Sequence, residues 1–176
     1  MKKFELTTEF ITNFLGTKLF RIKALVEFGK VEKGELGGFV EKEENLDHDG
    51  DAWVSGDAMV YGNARVSGNA RVYGNAWVSG NARVSGDAWV SGDAWVSGDQ
   101  MYAAVKGFGS EYRNTTFFIT KDGNVCVNCG CFSGTLEQFR EKVEETHKDT
   151  KYAKEYLMIA DLMEMHFKEE LEKIKK

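Results

Sequence analysis

Hydrophobic and polar positions in the middle of the chain follow a period of six residues. From Gly50 to Gly98 each unit reads G-(D/N)-A-(W/R/M)-V-(S/Y). Within a unit, Ala and Val alternate with larger or polar residues, which predicts a four-residue strand with Ala and Val on one face. The following Gly and Asp or Asn tolerate positive φ and predict a corner. Because the repeat runs without a slip, it outranks the other local signals in the chain.

Two chain paths could use such units. In a meander of two-residue hairpins, Val would change faces at every strand, which leaves no continuous apolar side. In a solenoid that always turns the same way, every Ala and Val points inward and stacks on its copy in the next coil. Only the solenoid gives one core, so the sequence predicts a parallel β-helix. Val40, Leu46 and Ala52 keep the six-residue step and extend the prediction back to about residue 34.

The chain ends predict different structures. Residues 1–33 are predicted to form an N-terminal β cap, with strands on either side of a turn near residues 13–16. Residues 34–99 form the β-helix. Residues 100–176 are predicted to form an α+β module, which is a hairpin turning at Asp122-Gly123 followed by helices over 136–147 and 150–174. Thr135 and Gln138 form a capping box for the first helix. The predicted fold class is therefore mainly β.

The repeat units resemble those of the hexapeptide-repeat left-handed β-helix family, on the strength of V-S-G-N-A-R and V-S-G-D-A-W. This resemblance implies a left-handed helix, roughly three units per triangular coil, a little over three coils in all, and a homotrimer. The wider layout, with TKLFRIKAL, GELGGFVEKEENL and CGCFSGTLEQF, is similar to phage and prophage proteins of uncertain role. Those proteins are often labelled polymer-forming or transferase-like.

With three units per coil, residues 18 apart share an outward face. The first face carries Trp53, Arg71 and Trp89 beside Ser55, Tyr73 and Ser91; the second carries Met59, Trp77 and Trp95 beside Tyr61, Ser79 and Ser97; the third carries Arg65 and Arg83 beside Ser67 and Ser85. Such side chains can form stabilising cross-strand ladders. Contiguous exposed Trp, Tyr and Arg also mark partner surfaces. Arg beside Trp and Tyr can bind a phosphate and stack a base.

Composition narrows the choice of function. The net charge is −5 without a basic block, which argues against a duplex nucleic-acid partner. No apolar run is long enough to cross a membrane, and the N-terminus lacks the pattern of a signal peptide. The three Cys are crowded together and odd in number, so they do not predict a disulfide framework. We therefore expect a cytoplasmic protein, in the host cytoplasm if it is phage-encoded.

Candidate chemistry is sparse. Cys126, Cys129, Cys131 and His147 could supply four zinc ligands, but buried thiols are the favoured interpretation. Cys131 near the start of a helix could alternatively be a nucleophile. His48 falls at a valine position of the repeat and is predicted to be a packed histidine. We predict no catalytic residue, metal or cofactor.

The leading hypothesis is a non-catalytic, phage-associated binding protein that assembles with itself, as a trimer. It would sequester a small acidic or nucleotide-like signalling ligand, or block a host defence protein. One alternative is a structural or assembly protein that polymerises through the same faces. The enzyme alternative is a hexapeptide acyltransferase, but those enzymes place a histidine base between subunits, and residues 50–99 contain no His.

Overall fold

The N-terminal segment begins with three strands that cover one end of the solenoid. They are β1 Phe4–Thr12, β2 Lys18–Ala24 and β3 Leu36–Val40. Strand β1 pairs antiparallel with β2, and β2 pairs antiparallel with β3. The turn between β1 and β2 includes Gly16 at φ 82°, as the sequence predicts. A short 3-10 turn at Glu43–Asn45 leads into the repeat.

The six-residue repeat forms a parallel β-solenoid of about three turns. Its strands are β4 Trp53–Val54, β5 Met59–Val60, β6 Arg65–Val66, β7 Arg71–Val72, β8 Trp77–Val78, β9 Arg83–Val84, β10 Trp89–Val90 and β11 Trp95–Val96. Each strand pairs with the strand 18 residues along the chain, which confirms three units per coil. The left-handed sense stays a prediction of the resemblance.

Three stacks of strands form the sides of the solenoid. One contains β4, β7 and β10, and another contains β6 and β9, extended by a parallel bridge from Leu46 to Val66. The remaining stack contains β5, β8 and β11 and continues through β3 into the cap, giving the order β1-β2-β3-β5-β8-β11. The cap therefore supplies hydrogen-bond partners to a sheet edge that would otherwise be open.

The core consists of the Ala and Val positions of the repeat. Each Val from Val54 to Val96 and each Ala from Ala52 to Ala94 is 0% exposed. This confirms the inward assignment. Full burial of one Val side chain contributes about 1.5–3 kcal/mol relative to exposure, so the stacked valines provide a large share of the stability of this unit.

The strands are shorter than predicted: two residues of each unit pair in the ladder, not four. The amide of the next Ala turns back instead, as when the Ala58 N–H donates to the Ser55 carbonyl at 3.4 Å. The same contact recurs at Ala64 and Ala70. This Ala N–H bonds within the corner, and the Gly two residues before the Ala adopts positive φ. Each Ala therefore lies on the inner side of a bend and not in a strand.

A separate unit begins at Gln100. It contains β12 Tyr102–Phe108, β13 Arg113–Ile119, β14 Val125–Cys129, β15 Phe132–Thr135, α1 Leu136–His147 and α2 Lys151–Ile174. The four strands form an antiparallel sheet in chain order, so the predicted hairpin (β13 and β14) is only its centre. Strands β12 and β15 were missed because neither shows a long alternation of apolar and polar residues. Both helices were predicted to within one residue.

The capping box of α1 is present. The Thr135 hydroxyl accepts the Gln138 N–H at 3.2 Å, and the Gln138 side chain accepts the Thr135 N–H at 2.9 Å. The computed structural model describes residues 1–175, so the last residue of the predicted module, Lys176, lies outside the described residues. Among residues 1–175, no helix combines the length and the apolarity that crossing a bilayer requires.

Two neighbouring glycine corners of the solenoid allow the cost of backbone strain to be measured apart from the cost of a steric clash. Gly80 and Gly86 both have positive φ, at 59° and 67°. A Cβ on Gly86 would meet no heavy atom within 4 Å, whereas a Cβ on Gly80 would collide with the Ser97 carbonyl oxygen. We expect Gly86→Ala to lower the free energy of unfolding by about 1 kcal/mol. Gly80→Ala should lower the free energy of unfolding by roughly 1–3 kcal/mol more than Gly86→Ala, because its Cβ also meets the Ser97 carbonyl oxygen.

Urea unfolding followed by circular dichroism measures both losses. Equal losses for the two variants would show that adjacent coils do not approach closely at Gly80.

Candidate functional site

The first face is built by the stack of β4, β7 and β10. Trp53 and Trp89 both pair in register with Arg71, so the arginine lies between two tryptophans as predicted. Ser55 and Tyr73 follow one position after each buried Val and point to the same exterior. The parallel ladder sets this order, because each outward residue has its copy 18 residues away.

The sequence predicts that the first face is exposed, and for Trp53 this prediction is wrong. This tryptophan points out of the coil, yet it is only 2% exposed. The edge of Phe28 packs against its ring, with ring centroids 5.4 Å apart. Gly37 lies so close that a Cβ there would be 2.7 Å from the Trp53 ring. The cap therefore buries this tryptophan, and the exposed interface predicted here does not include it.

A cleft of about 230 Å³ opens on this face. Its lining residues are Trp53, Ser55, Arg71, Tyr73 and Trp89. Trp53 forms its buried wall, and Trp89, which is 39% exposed, forms its outer wall. Serine and tyrosine hydroxyls provide the polar part of the lining. The cleft combines aromatic surface, two hydroxyls and one permanent positive charge.

The Arg71 guanidinium lacks a partner in the cleft, and the Trp53 indole N–H lacks one in the buried wall. Among residues 1–175, no carboxylate lies within 4.0 Å of the Arg71 guanidinium. Within the same residues no cation–π contact involves Arg71, so the arginine does not stack on either tryptophan. The Trp53 Nε1–H is buried and has no hydrogen-bond acceptor. A buried donor without an acceptor costs about 1–3 kcal/mol, and a ligand in the cleft cannot reach this nitrogen because the atom has no accessible surface. The unpaired Arg71 guanidinium is what makes an anion the favourable occupant.

The second face is partly covered as well. Strand β3 precedes β5 in the stack, so Phe39 pairs in register with Met59 and Met59 with Trp77. Tyr61 is 8% exposed and packs with Leu19 and Phe39, which corrects its assignment as an exposed interface residue. This burial comes from the cap, which adds its own side chains along the same sheet.

Trp77 and Trp95 pair in register and are half-buried. The Phe14 ring stacks on Trp77 with centroids 5.4 Å apart and an interplanar angle of 20°. Phe14 and Leu15 are 71% and 65% exposed at the tip of the β1–β2 hairpin. The aromatic patch on this face, defined as Phe14, Leu15, Trp77 and Trp95, therefore includes two residues that sequence reasoning missed.

The third face keeps its predicted composition. Arg65 and Arg83 pair in register on β6 and β9, and both are exposed. The first face differs because the cap and two tryptophans enclose its arginine.

His48 is a packed residue, as predicted. Its Nδ1 accepts the Lys3 N–H at 3.1 Å, and its Nε2 lies 2.7 Å from a Glu43 carboxylate oxygen. Its ring stacks on Phe4 with centroids 4.4 Å apart. This hydrogen bond to His48 is the main reason that the pKa of Glu43 lies below its usual range.

The cysteines do not form a metal site. Within residues 1–175, no three His, Cys, Asp or Glu side chains gather closely enough to hold a metal ion. Cys126 and Cys129 are three positions apart on β14, which places them on opposite faces of the sheet. Cys131 is exposed in a turn, four residues before the capping Thr135, so it is not at the start of α1. The candidate set with His147 is therefore wrong as a ligand group.

Comparison with known proteins agrees with the geometry of the coils. The family described as YdcK beta solenoid repeat matches residues 64–80, 78–92 and 82–98. These stretches lie inside the solenoid, and the chain is a repeat β-solenoid protein. We found no curated protein that matches the chain.

Two cap aromatics test how the faces are covered. Phe28 packs on the buried Trp53, whereas Phe14 stacks on Trp77 while staying largely exposed. We expect Phe28→Ala to lower the free energy of unfolding by about 2–3 kcal/mol, because it uncovers a buried ring. Phe14→Ala should cost about 0.5–1 kcal/mol. Thermal unfolding of the two variants, measured in parallel, compares these losses of stability. If both melt alike, the cap does not seal the first face.

Proposed function

We propose that this protein is a non-catalytic, self-associating binding protein that holds a small nucleotide-like anion in the cleft of the first face. The observation that carries the proposal is the Arg71 guanidinium, which lies without a carboxylate partner between two tryptophans in a cleft of about 230 Å³.

A phosphate suits the polar half of the cleft. The planar arginine fork binds two oxygens of a phosphate or carboxylate at once, and hydrogen bonds of this kind are roughly twice as strong as neutral ones. The Ser55 and Tyr73 hydroxyls can donate to further oxygens of the same group. Because Trp53 and the cap exclude water from one side, each of these bonds acts at a low local dielectric.

A flat ring suits the aromatic half. The exposed part of Trp89 offers a stacking surface, and base–aromatic stacking is worth about 1–3 kcal/mol per base. A nucleotide joins a flat ring to a phosphate, so one molecule can satisfy both halves. A simple carboxylate would leave the Trp89 surface unused.

The lining supports binding rather than turnover. Its five residues include no His, carboxylate or thiol, so the cleft offers no acid–base pair. A stoichiometric role follows, in which the protein sequesters a signalling ligand in the cytoplasm. The phage setting and the link to host defence come from the resemblance to phage proteins of the hexapeptide-repeat type. Blocking a host protein, assembling a polymer and acyl transfer are the competing functions.

Self-association is proposed through the second face. The aromatic patch of Phe14, Leu15, Trp77 and Trp95 exposes apolar surface of the type found at interfaces. A contact between the first face of one copy and this patch on the next would be heterologous and could close a ring of three. In such a trimer the cleft would lie beside a subunit contact.

Substitution of Arg71 tests the ligand proposal. We expect Arg71→Ala to weaken binding of AMP about tenfold or more, since it removes the charged partner of the phosphate. Arg65→Ala is the matched control, because Arg65 occupies the same repeat position on the third face. Isothermal titration calorimetry with AMP and with inorganic phosphate measures both, and stronger binding of AMP is expected because of stacking on Trp89.

Either of two results would contradict this assignment: AMP that fails to bind the unaltered protein, or AMP that binds Arg71→Ala as well as Arg65→Ala. Turnover of an acyl-CoA by the purified protein would contradict the non-catalytic claim.

The double substitution Trp77→Ala with Trp95→Ala tests self-association. Loss of two large rings from the patch should convert the oligomer into monomers in sedimentation velocity ultracentrifugation. Arg65→Ala again serves as control and should sediment as the unaltered protein does. An unchanged sedimentation coefficient for the double variant, with circular dichroism showing that it is folded, excludes this face as the interface.

A further inference from the structure

The second unit contains a cavity of its own, of about 400 Å³. This volume lies within the range of roughly 300–1,000 Å³ that is usual for small-molecule sites. The cavity forms where the ends of β13, β14 and β15 meet the second half of α1, and Tyr156 of α2 contributes to it. All of its lining residues belong to this unit, so it is independent of the cleft on the solenoid.

The floor of the cavity is aromatic and rigid. The Phe139 ring lies 5.6 Å from Phe132 and 5.5 Å from Tyr156, measured between centroids. The Tyr156 hydroxyl donates to the Phe108 carbonyl at 3.3 Å. Burial raises the pKa of Tyr156 far above its ordinary value, so the phenol stays neutral. The floor therefore presents uncharged flat surface.

Cys129 is a free cysteine that lines the cavity and packs against its aromatic floor. The Thr115 hydroxyl donates to its sulfur at 3.1 Å, and the sulfur lies 3.8 Å from the Tyr156 oxygen. Because Thr115 lies on the sheet and Tyr156 on α2, these contacts fix the thiol in the wall of the cavity.

The rim of the cavity carries positive charge. Arg113, Lys142 and His147 line it, and Glu111 is the one carboxylate in the lining. Lys142 also forms an ion pair with Glu145 outside the lining, with Nζ 2.7 Å from Oε2, so Arg113 is the principal cation of the rim. Glu111 lies 3.6 Å from Arg113, both side chains are largely exposed, and such pairs contribute little. Gly130 has φ 60°, and a Cβ there would lie 2.5 Å from Arg113 Nη1. A glycine at this turn is what allows the guanidinium to lie across it.

His147 also faces the cavity with unused hydrogen-bonding capacity. Its ring is half-buried, with its centroid 5.7 Å from that of Tyr156, and in the part of the chain that the structure describes its nitrogens make no hydrogen bond. It is the last residue of α1.

Two strained residues flank the lining. Tyr112 and Lys148 have φ of 50° and 46°, and they are the non-glycine residues with positive φ among residues 1–175. Tyr112 separates Glu111 from Arg113, and Lys148 follows His147. Backbone strain of this type clusters at ligand sites, where it fixes the direction of neighbouring side chains.

We propose that the second unit is a separate binding module for a small aromatic oxyanion, a planar ring that carries a carboxylate or phosphate group. The ring lies on Phe132 and Phe139, and the oxyanion binds the Arg113 guanidinium, with His147 and Lys142 beside it. This site does not depend on the cleft of the solenoid, and the two ligands need not be the same.

Two-dimensional amide NMR of the full chain tests the module with benzoate and with phenyl phosphate as probes. We expect saturable shifts at residues 110–113, 129–132 and 142–147 with one or both probes, and comparison of the two reports which oxyanion is preferred. Arg113→Gln should weaken binding about tenfold. Arg140→Gln is the control, because Arg140 pairs with Asp161 and Glu164 and is not part of the lining.

The proposal is overturned if neither probe gives saturable shifts, or if Arg113→Gln, with a dispersed spectrum, binds as well as Arg140→Gln. It is also overturned if benzyl alcohol binds as tightly as the anions. The same titration with the Arg71→Ala variant distinguishes the two sites. Shifts that disappear in this variant belong to the cleft of the solenoid and would refute the module. Shifts that persist support it.

Discussion

The first unit depends on one arrangement: identical inward residues stacked at a spacing of 18 along the chain. The backbone ladder holds this spacing, since the Ser55 N–H donates to the Val72 carbonyl at 2.9 Å and the Tyr73 N–H to the Val90 carbonyl at 3.0 Å. A core of Ala and Val leaves no freedom for the outward positions, so each outward residue has a fixed neighbour in every coil that adjoins its own. The Trp-Arg-Trp order of the first face is a direct consequence of this register.

What distinguishes the three faces is the cap more than the repeat. Arginine occurs on the first and third faces at the same repeat position, but Phe28 and Gly37 bury a tryptophan beside Arg71 alone. Partial exclusion of water strengthens electrostatic interactions at that point, whereas an arginine in open solvent contributes little. The N-terminal strands thus close an end of the solenoid and at the same time shape the cleft.

Periodic features were predictable from the sequence, and non-periodic ones were not. The inward valines and the capping box of α1 each rest on a local or repeating pattern, and the structure confirms them. The register of 18 was implied by the resemblance to hexapeptide-repeat proteins, and the structure confirms it as well. The burial of Trp53 and Tyr61 depends on Phe28, Gly37 and Leu19, which are distant in sequence and carry no shared signal. The cavity of the second unit is likewise assembled from turns and helix ends, and strand β12 that precedes it has no strong alternation.

The triangular coil also sets rules for how such a gene can lengthen or shorten. Duplication of one hexapeptide would move every later side chain to the next face, so that Arg and Trp would exchange neighbours throughout the downstream coils. Duplication of three hexapeptides would add a whole coil and leave each face in order. Length changes that preserve the cleft are therefore expected in steps of eighteen residues, and those placed after the first coil would leave the capped tryptophan undisturbed.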